Sequence, residues 1–323
     1  MTRPISAEIW LMAMLVLCFA VSLLTGPAGF GFPGGANAAW LIFSEIRLPR
    51  AILGALIGGA LGLCGAALQG YLRNPLAEPG LLGVTSGASL GAVIAIHSGA
   101  AAAFTLALPL GGLIGAGVAT LIVLLLAGAR SGPVTLILAG VAISSLAGAL
   151  TTLALNLSPN PFAAVEMVFW MLGSLNDRSL VHVWIASPLI LAGGAILLSI
   201  RRDLDALSLG DDVAANLGLD LHRLRLKIVA GTALAIGAAT AVAGSIGFVG
   251  LVIPHLLRRF AGHEPGRLLG LSALGGACLV VVADILLRLL SPLGDLKLGV
   301  LTALIGAPFF LWLVVKTRQE LGP

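Results

Sequence analysis

The apolar residues of this chain gather into long blocks that are hydrophobic on every face, separated by short polar interruptions. Such blocks cover 9–24, 51–71, 81–96, 104–127, 134–157, 180–200, 228–243, 248–257, 268–287 and 300–315. Most approach the roughly 20 residues that carry a helix across about 30 Å of hydrocarbon at about 1.5 Å per residue. The pattern predicts an all-α membrane protein of ten transmembrane helices forming a single domain over 1–323. The eighth block is short and carries Pro254, so a bent or partly spanning helix is expected there.

Three interruptions carry structure of their own. After the Gly26-Pro27 break, the Gly- and Ala-rich stretch 27–45 reads as a loop. Segment 158–179 is too long for a tight turn and predicts a short interfacial helix over 162–175 on the outer side, with Phe169 and Trp170 suited to a membrane boundary. Met167 and Met171 lie one turn apart on it, as anchors or as lining of an outer mouth. The longest polar run is 201–227, with five of the 14 acids and five of the 18 bases. Here Asp211 is placed to cap a short helix bearing Val213 and Leu217, Gly218 to end it, and a second short helix is expected over 219–224. A solvated loop and a docking surface for another protein both fit such a run.

Composition agrees with the blocks. At 59% hydrophobic, 10% charged and a mean hydropathy of +1.08, the chain is excluded from the soluble class, where charged residues make up about 25%. The 43 glycines suit helices that associate in lipid through close backbone approach. Cys18, Cys64 and Cys278 lie in apolar blocks without metal-like spacing. The net charge of +4 does not call for nucleic acid, because the bases sit at block ends. With a cytoplasmic N-terminus, Arg3, Arg73, Arg130, the five bases of 201–227, Arg258, Arg259, Arg267, Lys316 and Arg318 fall inside, and Arg47, Arg50, Arg178, Arg288 and Lys297 outside. That division satisfies the positive-inside tendency. Arg47-Leu48 before the second block echoes Arg223-Leu224 before the seventh, starting from the opposite side, which predicts two inverted repeats of five helices.

Catalytic chemistry is sparse. None of Lys227, Lys297 or Lys316 stands in a phosphate-cradling G-x-x-x-x-G-K-[ST] sequence, so ATP hydrolysis is not expected of this chain. An intramembrane hydrolase has only scattered His and Ser residues in its favour. An ATP-independent secondary transporter needs ion-coupling charge inside the membrane, for which Asp284 is the candidate, although Arg288 one turn later also predicts a structural pair.

Four stretches carry a resemblance: RLPRAILGALIGGALGLCGAALQG at 47–70, NPLAEPGLLGVTSGASLGA at 74–92, LGDDVAANLG at 209–218 and GFVGLVIPHLLRR at 247–259, with GVLTALIGAPFFLWLV at 299–314 in support. Together they are similar to the permeases of type II ABC importers for iron-siderophores, haem and cobalamin. The resemblance implies a homodimer in a bacterial inner membrane with both termini cytoplasmic, served by two cytoplasmic ATPase subunits and a periplasmic binding protein. It implies no cofactor on this chain, with ATP and magnesium used by the partner subunit. It further implies ATPase coupling through Leu209, Gly210, Asp211, Ala214, Leu217 and Gly218, and binding-protein docking at Arg47, Arg50 and Arg288. Anchoring is the other reading of those arginines. A pathway at the dimer axis would be lined by Thr85, Ser86, Ser89, Ser144 and Ser145, with a cytoplasmic gate at Asn74, Leu76 and Thr135. Hydroxyl residues also bond helices together in lipid. The cargo expected is a bulky iron chelate, ferric siderophore or haem, with cobalamin the alternative.

Overall fold

The computed structural model describes residues 5–26, 29–32, 35–128, 132–158, 160–290 and 294–320. The expectations attached to Arg3, Pro27 and Arg130 lie outside the described residues. Helix α1 (Ile5–Leu24) runs into a two-residue antiparallel pair, β1 (Thr25–Gly26) with β2 (Gly29–Phe30). The stretch expected as a loop is instead largely helical. Helix α2 (Ala36–Leu41) passes through a π-helical turn, Ile42–Arg47, straight into α3 (Leu48–Leu72). Apart from Pro49, which falls in the first turn of α3, nothing after Gly35 interrupts a helix here.

Beyond α3 come a 3₁₀ turn, Pro79–Leu82, then α4 (Val84–His97), α5 (Ala100–Ala103), α6 (Ala107–Ala127) and α7 (Pro133–Asn156). Helix α8 (Pro161–Met171) occupies the segment where a short helix is expected, begun by Pro161 and by the Asn160 side chain, which accepts from the Ala163 N–H at 2.8 Å. It stops short of the expected end because Gly173 turns left-handed, at φ +72°. Helices α9 (Leu180–Ser199), α10 (Arg201–Leu207) and α11 (Asp211–Asn216) lead to α12 (Leu221–Ala243). The separate short helix expected over 219–224 is the first turn of α12. Asp220 caps it by accepting from the Arg223 N–H at 3.0 Å, a bond that holds its carboxyl below the usual range. Nothing between Leu224 and Ile228 can break a helix, so the turn propagates. Last come α13 (Val249–Leu257), a 3₁₀ turn over Arg258–Ala261, α14 (Pro265–Leu290) and α15 (Leu298–Glu320).

Among the described residues, seven helices are long and apolar enough to cross a membrane. The third, eighth and tenth sequence blocks correspond to α4, α13 and α15. Helix α4 has 14 residues, α13 has nine with Pro254 inside, and α15 carries Pro308. The bundle is organised around α3. In the continuous span Ala36–Leu72, 78% of the most apolar window is buried, against 6% for Ala7–Leu24 of α1. Helices α14, α13, α9 and α12 pack on α3, and α1 lies outside against α14.

Contact between these helices is backbone on backbone. A Cβ on Gly62 would stand 2.0 Å from the Ser272 carbonyl oxygen, and one on Gly276 would stand 2.2 Å from that of Gly58. The α4–α6 crossing is built likewise, a Cβ on Gly91 falling 2.0 Å from the Gly111 oxygen. Lipid tails supply no hydrophobic drive for association, so this van der Waals contact is what holds the pairs. Gly62→Val or Gly276→Val therefore forces α3 and α14 apart. A cost of about 2–3 kcal/mol is expected, read as a lowered thermal midpoint in detergent. Gly117→Ala in α6, where an added Cβ meets nothing within 4 Å, serves as the control and leaves the midpoint unlowered, since alanine is the better helix former.

Candidate functional site

The expected site residues fall into three groups at the two ends of α3, separated along that helix by roughly 35–40 Å of helical rise. At its N-terminal end, Arg50 of α3 and Arg288 of α14 meet on one carboxylate, that of Asp284, and Arg47 of the preceding π-helical turn lies beside them around a shared cavity. Arg50 Nε donates to Asp284 Oδ1 at 2.7 Å and its Nη2 lies 2.6 Å from the same oxygen. Arg288, from the same helix as Asp284, donates through Nε at 2.9 Å and also through Nη2. Its remaining donors cap the end of α1, with Nη1 bonding the Ser22 carbonyl at 2.7 Å and the Thr25 carbonyl at 3.1 Å. Arg47 donates to the carbonyls of Leu23 and Gly31 and lies over the Phe32 ring, 4.3 Å from its centroid.

The sequence predicted the Asp284–Arg288 pair but not the second arginine, because no pattern links positions 234 residues apart. A cavity of about 500 Å³ opens beside the cluster, lined by Thr25, Phe30, Phe32, Arg47, Arg50 and Arg288. Buried and doubly paired, Asp284 is not a free acid inside the bundle, and it is the one buried acid among the described residues. This is the structural pair that the spacing of Asp284 and Arg288 also predicted.

At the opposite end, α10 and α11 form the segment expected to couple. Asp205 of α10 accepts from the Gly266 N–H at 2.7 Å and Arg201 Nε donates to the Gly266 carbonyl at 3.0 Å, which fixes α10 to the start of α14. Leu204 and Leu207 turn inward, and so does Ala214 of α11, which is fully buried. The apolar surface that remains outside is Leu209, Val213 and Leu217, each 45–66% exposed. Asp211 does not cap α11. Gly210 takes the cap position at φ +107°, a conformation glycine adopts freely, and Asp211 follows as the first helical residue. Its carboxylate instead meets Arg73 Nη2 at 2.5 Å. Gly218 ends the helix as expected, with φ +87° and the Leu219 N–H bonded back to the Ala214 carbonyl.

Close by, the loop after α3 holds two of the expected gate residues, Asn74 and Leu76. Asn74 Oδ1 accepts from the Leu76 N–H at 2.9 Å, a tight Asx turn, and half-buried Glu78 has its carboxyl pushed up by burial. The turn Pro79–Leu82 presses on α7, where a Cβ on Gly140 would lie 1.9 Å from the Leu81 oxygen. Thr135 and Ser145 lie exposed on α7, while Ser144, Thr85 and Ser86 are half-buried. Ser89 of α4 is buried. Gly87-Ala88-Ser89-Leu90-Gly91 has the spacing of a hydrolase nucleophile turn, yet it lies inside a continuous helix and lacks the strand-to-helix elbow that exposes such a serine. In α8, Met167 is fully buried and packs with Val93 and Ile96 of α4. Among the described residues no cluster of three or more His, Cys, Asp or Glu could hold a metal ion.

This architecture and these motifs have close counterparts. The hemin transport system permease protein HmuU of Yersinia pestis is 39% identical over 296 residues, covering 88% of this chain and 86% of that protein. The vitamin B12 import system permease protein BtuC of Escherichia coli strain HS is 38% identical over 321 residues, 96% of each. Among solved structures, a metal-chelate type ABC transporter in an inward-facing conformation superposes with a TM-score of 0.87 at 32% identity, covering 96% of this chain and 98% of that one. The FecCD transport family matches residues 12–316, nearly the whole length, and the chain is a multi-pass membrane protein belonging to that family.

Proposed function

We propose that the chain is the membrane-spanning subunit of an ATP-driven importer that moves a bulky iron chelate, haem or a ferric siderophore, from a periplasmic binding protein to the cytoplasm across a bacterial inner membrane. The full-length likeness to the hemin permease and to the metal-chelate transporter structure carries this reading. A cobalamin cargo is the second reading, favoured by vitamin B12 permeases of equal similarity at 37–41% identity. In this reading α4, α13 and α15 join the seven long helices as ten spans in two inverted repeats, with both termini cytoplasmic. Two copies form the pathway at their shared axis, where Thr135 and Ser145 of α7 are exposed to line it. ATP and magnesium act in separate ATPase subunits docked on α10 and α11.

The exposed apolar residues of this segment support the docking assignment. Leu209, Val213 and Leu217 form an apolar patch beside a run of charges, the arrangement of an interface core within a polar rim. Leu217→Asp buries an unpaired charge at that interface, and the ATPase subunit is expected to dissociate on co-purification. Retained assembly and uptake refute the assignment.

At the other end, the cavity beside Arg47, Arg50 and Arg288 can admit an acidic side chain of the binding protein, since guanidinium binds carboxylate through two donors. Arg50→Glu sets like charges against Asp284 and also removes a docking donor. Binding-protein affinity is expected to fall at least tenfold at low salt, about 1.4 kcal/mol or more. Equal affinity shows that these arginines only anchor helix ends. Uptake by the reconstituted complex of haem, a ferric siderophore or cobalamin selects the cargo, and uptake of none of them overturns the reading.

A further inference from the structure

We infer that the ion pair between Arg73 and Asp211 is the link that passes motion of α11 to the loop 74–82, making Arg73 a positioning residue for the gate. The inference rests on the proposed docking of an ATPase on α11 and on the gate expected at Asn74 and Leu76.

Three observations carry it. Arg73 occupies the position after α3 at φ +48°, a left-handed conformation in which glycine is the favoured residue and an arginine is strained. Turn geometry alone therefore does not account for an arginine there. Its guanidinium spans 138 residues of sequence to Asp211, the first residue of α11, at 2.5 Å. With side chains 44% and 52% exposed, such a pair adds little to stability. Its value lies in where it connects.

On one side, Asp211 stands between exposed Leu209 and exposed Val213 and Leu217, so a protein covering those residues also covers the pair. Water is then excluded, the effective dielectric constant falls and the attraction strengthens. On the other side, Arg73 is bonded directly to Asn74, whose side chain holds the Leu76 N–H. The loop then presses on α7 through Leu81 and Gly140. Helix α10 is meanwhile fixed to α14 through Gly266, so displacement of α11 relative to α10 is taken up at Arg73.

The discriminating variant is Arg73→Gly, which removes the pair and at the same time relieves the left-handed strain. A purely structural role predicts lower stability on losing the pair, whereas the link predicts an unchanged or raised thermal midpoint together with lost coupling. In the complete complex in nanodiscs, labelling of Leu76→Cys by a charged maleimide is expected to change rate at least fivefold between ATP-bound and nucleotide-free states. Arg73→Gly is expected to abolish that change while the ATPase subunit stays bound and hydrolyses ATP. Exchanging the charges, Arg73→Asp with Asp211→Arg, is expected to restore at least half of it. An unchanged labelling response in Arg73→Gly overturns the link, as does absence of recovery in an assembled charge-exchanged complex. Leu217→Asp separates the two levels: if it leaves the ATPase subunit bound, the docking reading itself fails, and if it releases the subunit while Arg73→Gly responds normally, only the link fails.

Discussion

The fold depends on how closely other helices can approach α3. Carbonyl oxygens of Ser272, Gly276 and Gly250 occupy the space where side chains of Gly62, Gly58 and Gly65 would otherwise stand. In water, burial of large apolar side chains could hold such a bundle, but in lipid the surroundings are as apolar as the interior, and contact must be gained atom by atom. A helix stripped to its backbone on several faces can be touched from several directions, and α3 is touched by α14, α13, α9 and α12. Larger residues such as Leu53, Ile57 and Leu68 then fill the wedges between crossings.

The buried charges obey the same economy of position. Asp284 without its arginines, or an arginine without Asp284, would be an unpaired charge away from water. With two guanidiniums on one carboxylate the cluster keeps an excess of positive charge, and that excess is spread over carbonyls at the end of α1. Those carbonyls are the acceptors a helix C-terminus leaves without partners, and they carry the negative end of its dipole. Helix end and arginines thus stabilise each other, while the cavity stays open beside them.

Much of this was legible in the sequence because lipid imposes a simple rule on composition. The long blocks become helices, Gly218 ends α11, and the helix-pair sequence Asp284 to Arg288 becomes an ion pair. The runs 27–45 and 219–224 misled for opposite reasons. Gly and Ala in the first suggested a loop where Ala36 onward is simply an early start of the α3 helix, and charge in the second suggested a separate element where Asp220 only begins α12. Arg50 to Asp284 and Arg73 to Asp211 were invisible, since both join residues more than a hundred positions apart and neither leaves a local pattern. Asp211 was misassigned as a cap because its spacing suits that role, and Gly210 fills it instead.

Helix α1 leaves the ribosome early, yet the groups that complete its far end come late. Arg288 reaches Ser22 across 266 residues of chain. At about 5–20 residues per second of synthesis, that separation amounts to roughly 15–50 s during which the helix end has no guanidinium to accept from. The arginine cluster at this end of α3 thus assembles only after α14 has been made, and a truncated chain lacking α14 has only fragments of it. The order of synthesis is in this way written into the cluster itself, which forms only once α14 is in place against α1.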